Sequence, residues 1–220
     1  MAFNTLELFQ IWLNLPKKIK LVPPHFTMFW SEKIPKLNLQ SGAVQISVIA
    51  GELNGQKSLA PPPDSWASQH ESEIGIYLVK MRAGTEWGLP ANKNPASRML
   101  YFFNGKTLSI DSETISKSTG VHLNNQIESS LRSDDTEVEF LILQARAIGE
   151  PVVQHGPFVM NTKEEIVQTF ADYQKTQFGG WPWGAPRYDS RRFRKRSDCE
   201  TICKISKRKN RNSVINYSKY

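Results

Sequence analysis

The Asn104-Gly105 dipeptide, set between two β-prone runs, constrains this chain more tightly than any other short feature. Leu100, Tyr101, Phe102 and Phe103 lead into it, and Leu108 and Ile110 follow. A type I′ turn needs positive φ at both central residues, a conformation asparagine and glycine tolerate, so Arg98 to Ile110 predicts a β-hairpin. Other segments share the two-residue period. Val44 to Ala50 alternates Val44, Ile46 and Val48 with polar residues and closes at Gly51. Ile74 to Met81 runs toward a turn at Ala83-Gly84, and Glu137 to Ala147 is continuously apolar from Phe140 to Leu143. Each reads as a strand, with weaker strands around Ile115 and from Val121 to Leu123. Leu6 to Leu15, rich in Phe, Ile, Leu and Trp, predicts a strand buried on both faces and ended by Pro16. Leu59 to Ser72, with Pro61-Pro62-Pro63 and few apolar residues, predicts a loop.

The period changes at Asn161-Thr162. Thr162 followed by Glu165 matches a capping box, and Ile166, Phe170 and Tyr173 fall on one helical face. The spacing predicts a helix from Lys163 to Lys175 that stops before Gly179-Gly180. Five or more strands followed by one helix imply an all-β class, a barrel or sandwich with a C-terminal α-helix.

Charge is distributed unevenly. Residues 187–220 hold 12 of the chain's 28 Lys/Arg but only 3 of its 21 Asp/Glu, so this tail is net +9 and the remainder, at −2, is nearly neutral. The two cysteines, Cys199 and Cys203, lack Cys-x-x-Cys spacing and a second ligand pair, which argues against structural zinc and a disulfide framework. No apolar run of about 18 residues exists, so a membrane span is not expected. The apolar N-terminus has neither a basic n-region nor a small-residue cleavage site. A cytoplasmic setting follows, or a nuclear one in a eukaryote.

Three stretches together resemble the pirin family of the cupin superfamily. Phe9 to Pro16 (FQIWLNLP), with the KKIKLVPPHF that follows, is similar to the passage between that family's two barrels. Glu150 to Ile166 (EPVVQHGPFVMNTKEEI) resembles its C-terminal signature, and Phe178 to Trp183 (FGGWPW) the ending of many members. The resemblance implies a cupin-like jelly-roll β-barrel. It also implies that the family's iron or other divalent metal belongs to an N-terminal barrel, on three histidines and a glutamate upstream of residue 9. On this reading residues 1–40 are a remnant of the N-terminal cupin half and the inter-barrel linker. The C-terminal barrel spans 41–150, the signature and helix 151–183, and a basic, disordered tail 184–220.

The residues themselves agree on the metal. A cupin site needs His-x-His with a further histidine and a carboxylate converging inside a barrel. His25, His70, His122 and His155 are widely separated, and Glu7 lies outside any His-x-Glu motif. No metal ligand, catalytic residue or cofactor is therefore expected in this chain. His155 is assigned a structural role beside the turn at Gly156-Pro157, with ligand or interface duty as the alternative. Trp181 and Trp183 are expected to pack apolar area, the alternative being to stack a ligand. In the tail, Arg191, Arg192, Arg194, Lys195 and Arg196 form one basic cluster, and Lys207, Arg208, Lys209 and Arg211 a second. Such clusters suit phosphate backbones; a solvated extension is the plainer alternative.

Three functions follow as expectations. The first is a truncated, non-catalytic pirin-like protein with a regulatory role exercised through a protein partner, since the family is associated with transcriptional co-regulation. The second is the quercetin 2,3-dioxygenase activity of some pirins. The third is nucleic-acid binding through the tail.

Overall fold

The computed structural model describes residues 7–179. Within Leu13–Gly149, a compact unit by itself, two antiparallel sheets share one apolar core. The larger sheet takes its strands from β1 (Lys36–Leu39), β2 (Val44–Ala50), β5 (Gly75–Met81), β7 (Ser97–Asn104), β10 (Thr119–Asn124) and β12 (Val138–Ala145), in the order β1-β2-β5-β12-β7-β10. The smaller runs β6-β11-β8-β9, from β6 (Glu86–Leu89), β8 (Thr107–Ile110), β9 (Glu113–Ser116) and β11 (Ser129–Ser133). Alternation gives β2 and β5 one apolar inward face each. Val44, Ile46 and Val48 point inward from β2, Val79 and Met81 from β5, and Phe140 and Ile142 from β12. Trp87, Leu89, Leu108, Ile110 and Leu131 meet them from the smaller sheet. This is the two-sheet β-rich cupin fold expected, with one α-helix beyond it.

The predicted hairpin at Asn104-Gly105 does not form. β7 bonds β12 and β10 in the larger sheet, whereas β8 bonds β11 and β9 in the smaller one. The chain crosses between layers at Gly105, whose φ is 119°, while Asn104 stays outside the positive-φ region. A methyl at Gly105 would stand 2.8 Å from Val138 Cγ1 and 3.0 Å from the Glu137 carbonyl, so close packing rather than turn type demands glycine. A second Asn-Gly pair makes the type I′ hairpin instead. Asn54 (φ 48°) and Gly55 (φ 80°) join β3 (Glu52–Leu53) to β4 (Gln56–Lys57), with Leu53 opposite Gln56.

Two further expectations need correction. No strand forms between Glu7 and Pro16; Leu8 and Trp12 are exposed there, because an apolar run is buried on both faces only where strands flank it. The expected loop before β5 contains 3₁₀ turns at Trp66–Ser68 and His70–Ser72. Trp66 is buried and donates from Nε1 to the Arg146 carbonyl at 3.2 Å.

The second unit, among described residues 7–12 and 150–179, contains the hairpin β13 (Val153–His155) and β14 (Phe158–Met160) and the helix α1 (Lys163–Thr176). Thr162 Oγ1 accepts from Glu165 N at 3.2 Å, and the Glu165 carboxylate accepts from Thr162 N at 3.1 Å, which closes the expected capping box. Among the described residues no helix is long and apolar enough to cross a membrane.

Candidate functional site

Along β7 the inward positions are Arg98, Leu100 and Phe102. Alternation thus places a guanidinium on the core face of the larger sheet, 3% exposed. The register continues the row. Leu123 of β10, Arg98 of β7, Gln144 of β12 and Gly75 of β5 lie abreast, each buried. Arg98 Nε donates to Gln144 Oε1 at 2.7 Å and Nη1 to the Pro90 carbonyl at 2.9 Å. Gln144 Nε2 donates onward to the Glu73 carbonyl at 3.0 Å.

Gly75 leaves the space that Tyr77 fills. A methyl at Gly75 would lie 2.6 Å from the Tyr77 hydroxyl. That hydroxyl donates to the Glu52 carbonyl at 2.8 Å. Burial pushes the phenol up to about 12, against a smaller opposing pull from the Arg98 charge, so Tyr77 stays neutral at ordinary pH.

Residues 90–96, which join β6 to β7, are tied down by side-chain amides. The Glu73 carboxylate accepts from Asn92 Nδ2 at 2.8 Å and from Asn94 Nδ2. Asn125, itself 3% exposed, donates from Nδ2 to the Asn94 carbonyl at 2.8 Å and accepts from Ala96 N at 3.1 Å. Every carboxamide here has a partner, and the Glu73 carboxylate is occupied by amides. Arg98 has no carboxylate partner among the described residues, and burial lowers its affinity for its proton.

Of the predicted site residues, His155 alone lies among the described residues, and the other three histidines were expected to be plain surface or loop residues. His25, His70 and His122 are exposed; His25 Nε2 lies 3.4 Å from Thr27 Oγ1, and His122 Nε2 3.3 Å from Ser97 Oγ. His155 is exposed on β13, edge-on to Phe170 at 5.4 Å, beside a cluster in which Phe158 meets Phe170, Tyr173 and Phe178. Trp181, Trp183 and all nine basic residues named in the tail lie outside the described residues. Among the described residues no three His, Cys, Asp or Glu side chains come together as metal donors. Sequence reasoning passed over Arg98 and Gln144, although Arg98 falls in phase with Leu100 and Phe102 and thus at an inward position.

Comparison with known proteins bears on the same segment. Residues 76–179 match the model of the pirin C-terminal cupin domain. A pirin-like protein of Caulobacter vibrioides is 33% identical over 177 residues, covering 77% of this chain and 58% of that protein. Pirin of Homo sapiens is 30% identical, covering 77% of this chain and 56% of that one. The crystal structure of quercetin 2,3-dioxygenase from Acinetobacter baumannii superposes with a TM-score of 0.66 at 25% identity, over 76% of this chain and 55% of that one. The chain therefore spans somewhat over half the length of the curated relatives it matches.

Proposed function

The chain belongs to the pirin family by the C-terminal cupin domain it carries, and from that premise we propose that it acts as a non-catalytic binding module, regulatory in effect and working through a protein partner. One observation carries the reading. The polar end of the barrel is built around a buried guanidinium, held by a carboxamide and a carbonyl, and not around imidazoles and carboxylates. A divalent cation does not fit there: the donors are saturated amides, and a fixed positive charge faces the same interior. The exposed, scattered histidines offer no second set among the described residues.

The alternative is dioxygenase activity like that named for the Acinetobacter neighbour, of which this chain covers 55%. Dioxygen chemistry on a flavonol needs a redox metal, so the two readings separate on metal content. Purified full-length protein is analysed for iron, copper, manganese and nickel, then assayed with quercetin. Metal well below one equivalent with no turnover is the expected outcome. Near-stoichiometric metal with quercetin consumption defeats the binding-module reading.

A further inference from the structure

We propose that Arg98 anchors an anion site at the polar end of the barrel, and that its ligand class is a small monocarboxylate. A guanidinium has five N–H donors. Two are engaged, by Gln144 Oε1 and the Pro90 carbonyl; the other three have no protein partner among the described residues, and Nη2 keeps contact with solvent on a side chain otherwise 3% exposed. Burying a charge is costly unless a counter-charge accompanies it, and none does so here among the described residues. Tyr77, the titratable group coupled to Arg98, is kept as the neutral phenol. Glu73, the acid of this end, is taken up by Asn92 and Asn94.

A counter-ion suited to Arg98 has a definite chemistry. One fixed positive charge balances one negative charge, so a dianion would bring surplus charge into a low-dielectric interior. The planar fork of the guanidinium matches two coplanar oxygens, which selects a carboxylate over a spherical halide. This inference stands apart from the metal question: its test reads anion binding, and iron content does not enter.

The test titrates full-length protein with sodium acetate, against sodium chloride at equal ionic strength, and follows thermal unfolding. In the wild type, acetate raises Tm saturably, by about 3–5 °C at roughly tenfold above its Kd, and chloride does not. Arg98→Met keeps the length and apolar stem, removes the charge and loses the acetate response. It retains the basic tail, so any tail binding persists in both proteins and cancels in the difference. An unchanged Tm in the wild type, an equal rise in Arg98→Met, or an equal rise with chloride overturns the proposal. Should Arg98→Met not fold, arginine side-chain ¹H–¹⁵N spectra of the wild type decide. The buried Nε–H bonded to Gln144 moves with acetate if the site exists, and an unmoved signal refutes it.

Discussion

Arg98 and Gln144 sit abreast on neighbouring strands of the larger sheet and complete a relay in which the guanidinium donates to the carboxamide oxygen at 2.7 Å and the carboxamide nitrogen donates to the Glu73 carbonyl at 3.0 Å. Gln144 is the hinge of this relay, because its two ends satisfy one charged donor and one backbone acceptor at once.

Replacing Gln144 by leucine preserves the approximate volume and breaks both bonds. It leaves the buried Arg98 Nε–H and the Glu73 carbonyl without partners, a loss of about 2–4 kcal/mol. Urea unfolding followed by far-UV circular dichroism measures it. A loss below about 0.5 kcal/mol would mean that water replaces the carboxamide without penalty.

Tyr77 makes the barrel sensitive to alkali in a defined window. Its folded pKa lies above the ordinary value of 10.0, at about 12, so the folded state holds the proton longer than the unfolded state. Stability from this group is complete below pH 10 and is lost as pH rises toward 12, by an amount on the order of 2–3 kcal/mol. Tyr77→Phe removes the ionisable group. Its stability curve between pH 10 and 12 is expected to be flatter than that of the wild type, and parallel curves would show that Tyr77 is not responsible.

The two Asn-Gly pairs give an internal control. Gly105→Ala drives a methyl to 2.8 Å from Val138 Cγ1 at a φ of 119°, so backbone strain and overpacking combine to cost about 3 kcal/mol. Gly55→Ala meets nothing within 4 Å and carries strain alone, about 1 kcal/mol. Comparable losses at the two sites would contradict the close packing described for the layer crossing.

Thr162→Ala opens the capping box of α1. The Glu165 backbone N–H loses its side-chain acceptor, and the helix start weakens by about 1 kcal/mol. Amide exchange in the first turn of Lys163–Thr176 should accelerate roughly fivefold, while the barrel amides of β12 exchange as before.

Much of the fold was legible because alternation and capping are local. The strand at Val44–Ala50, the strand within Ile74 to Met81 and the helix at Lys163 were placed within a residue or two. β11 was not, since its inward positions are Ser129, Leu131 and Ser133, too polar for a hydrophobic period. Ser133 belongs inside because Thr85 N donates to its hydroxyl at 3.0 Å and the hydroxyl donates to the Arg82 carbonyl, a pairing 48 to 51 residues apart in sequence. The candidate site was missed for a related reason. An arginine heading the run toward Phe103 reads as a solvated strand end until Gln144, 46 residues onward, is seen beside it.

What the sequence alone determined was the alphabet of elements: strands of period two, one capped helix, a charge-segregated tail and the family likeness of Glu150 to Ile166. Each depends on interactions within a few residues, where side-chain sterics and neighbouring hydrogen bonds decide. Only the tertiary structure decided which Asn-Gly pair turns and which crosses between sheets, and that Arg98 lies buried with no acid paired to it among the described residues. Those outcomes depend on which strands become neighbours. Cross-strand partners come from distant parts of the chain, so no local preference encodes them.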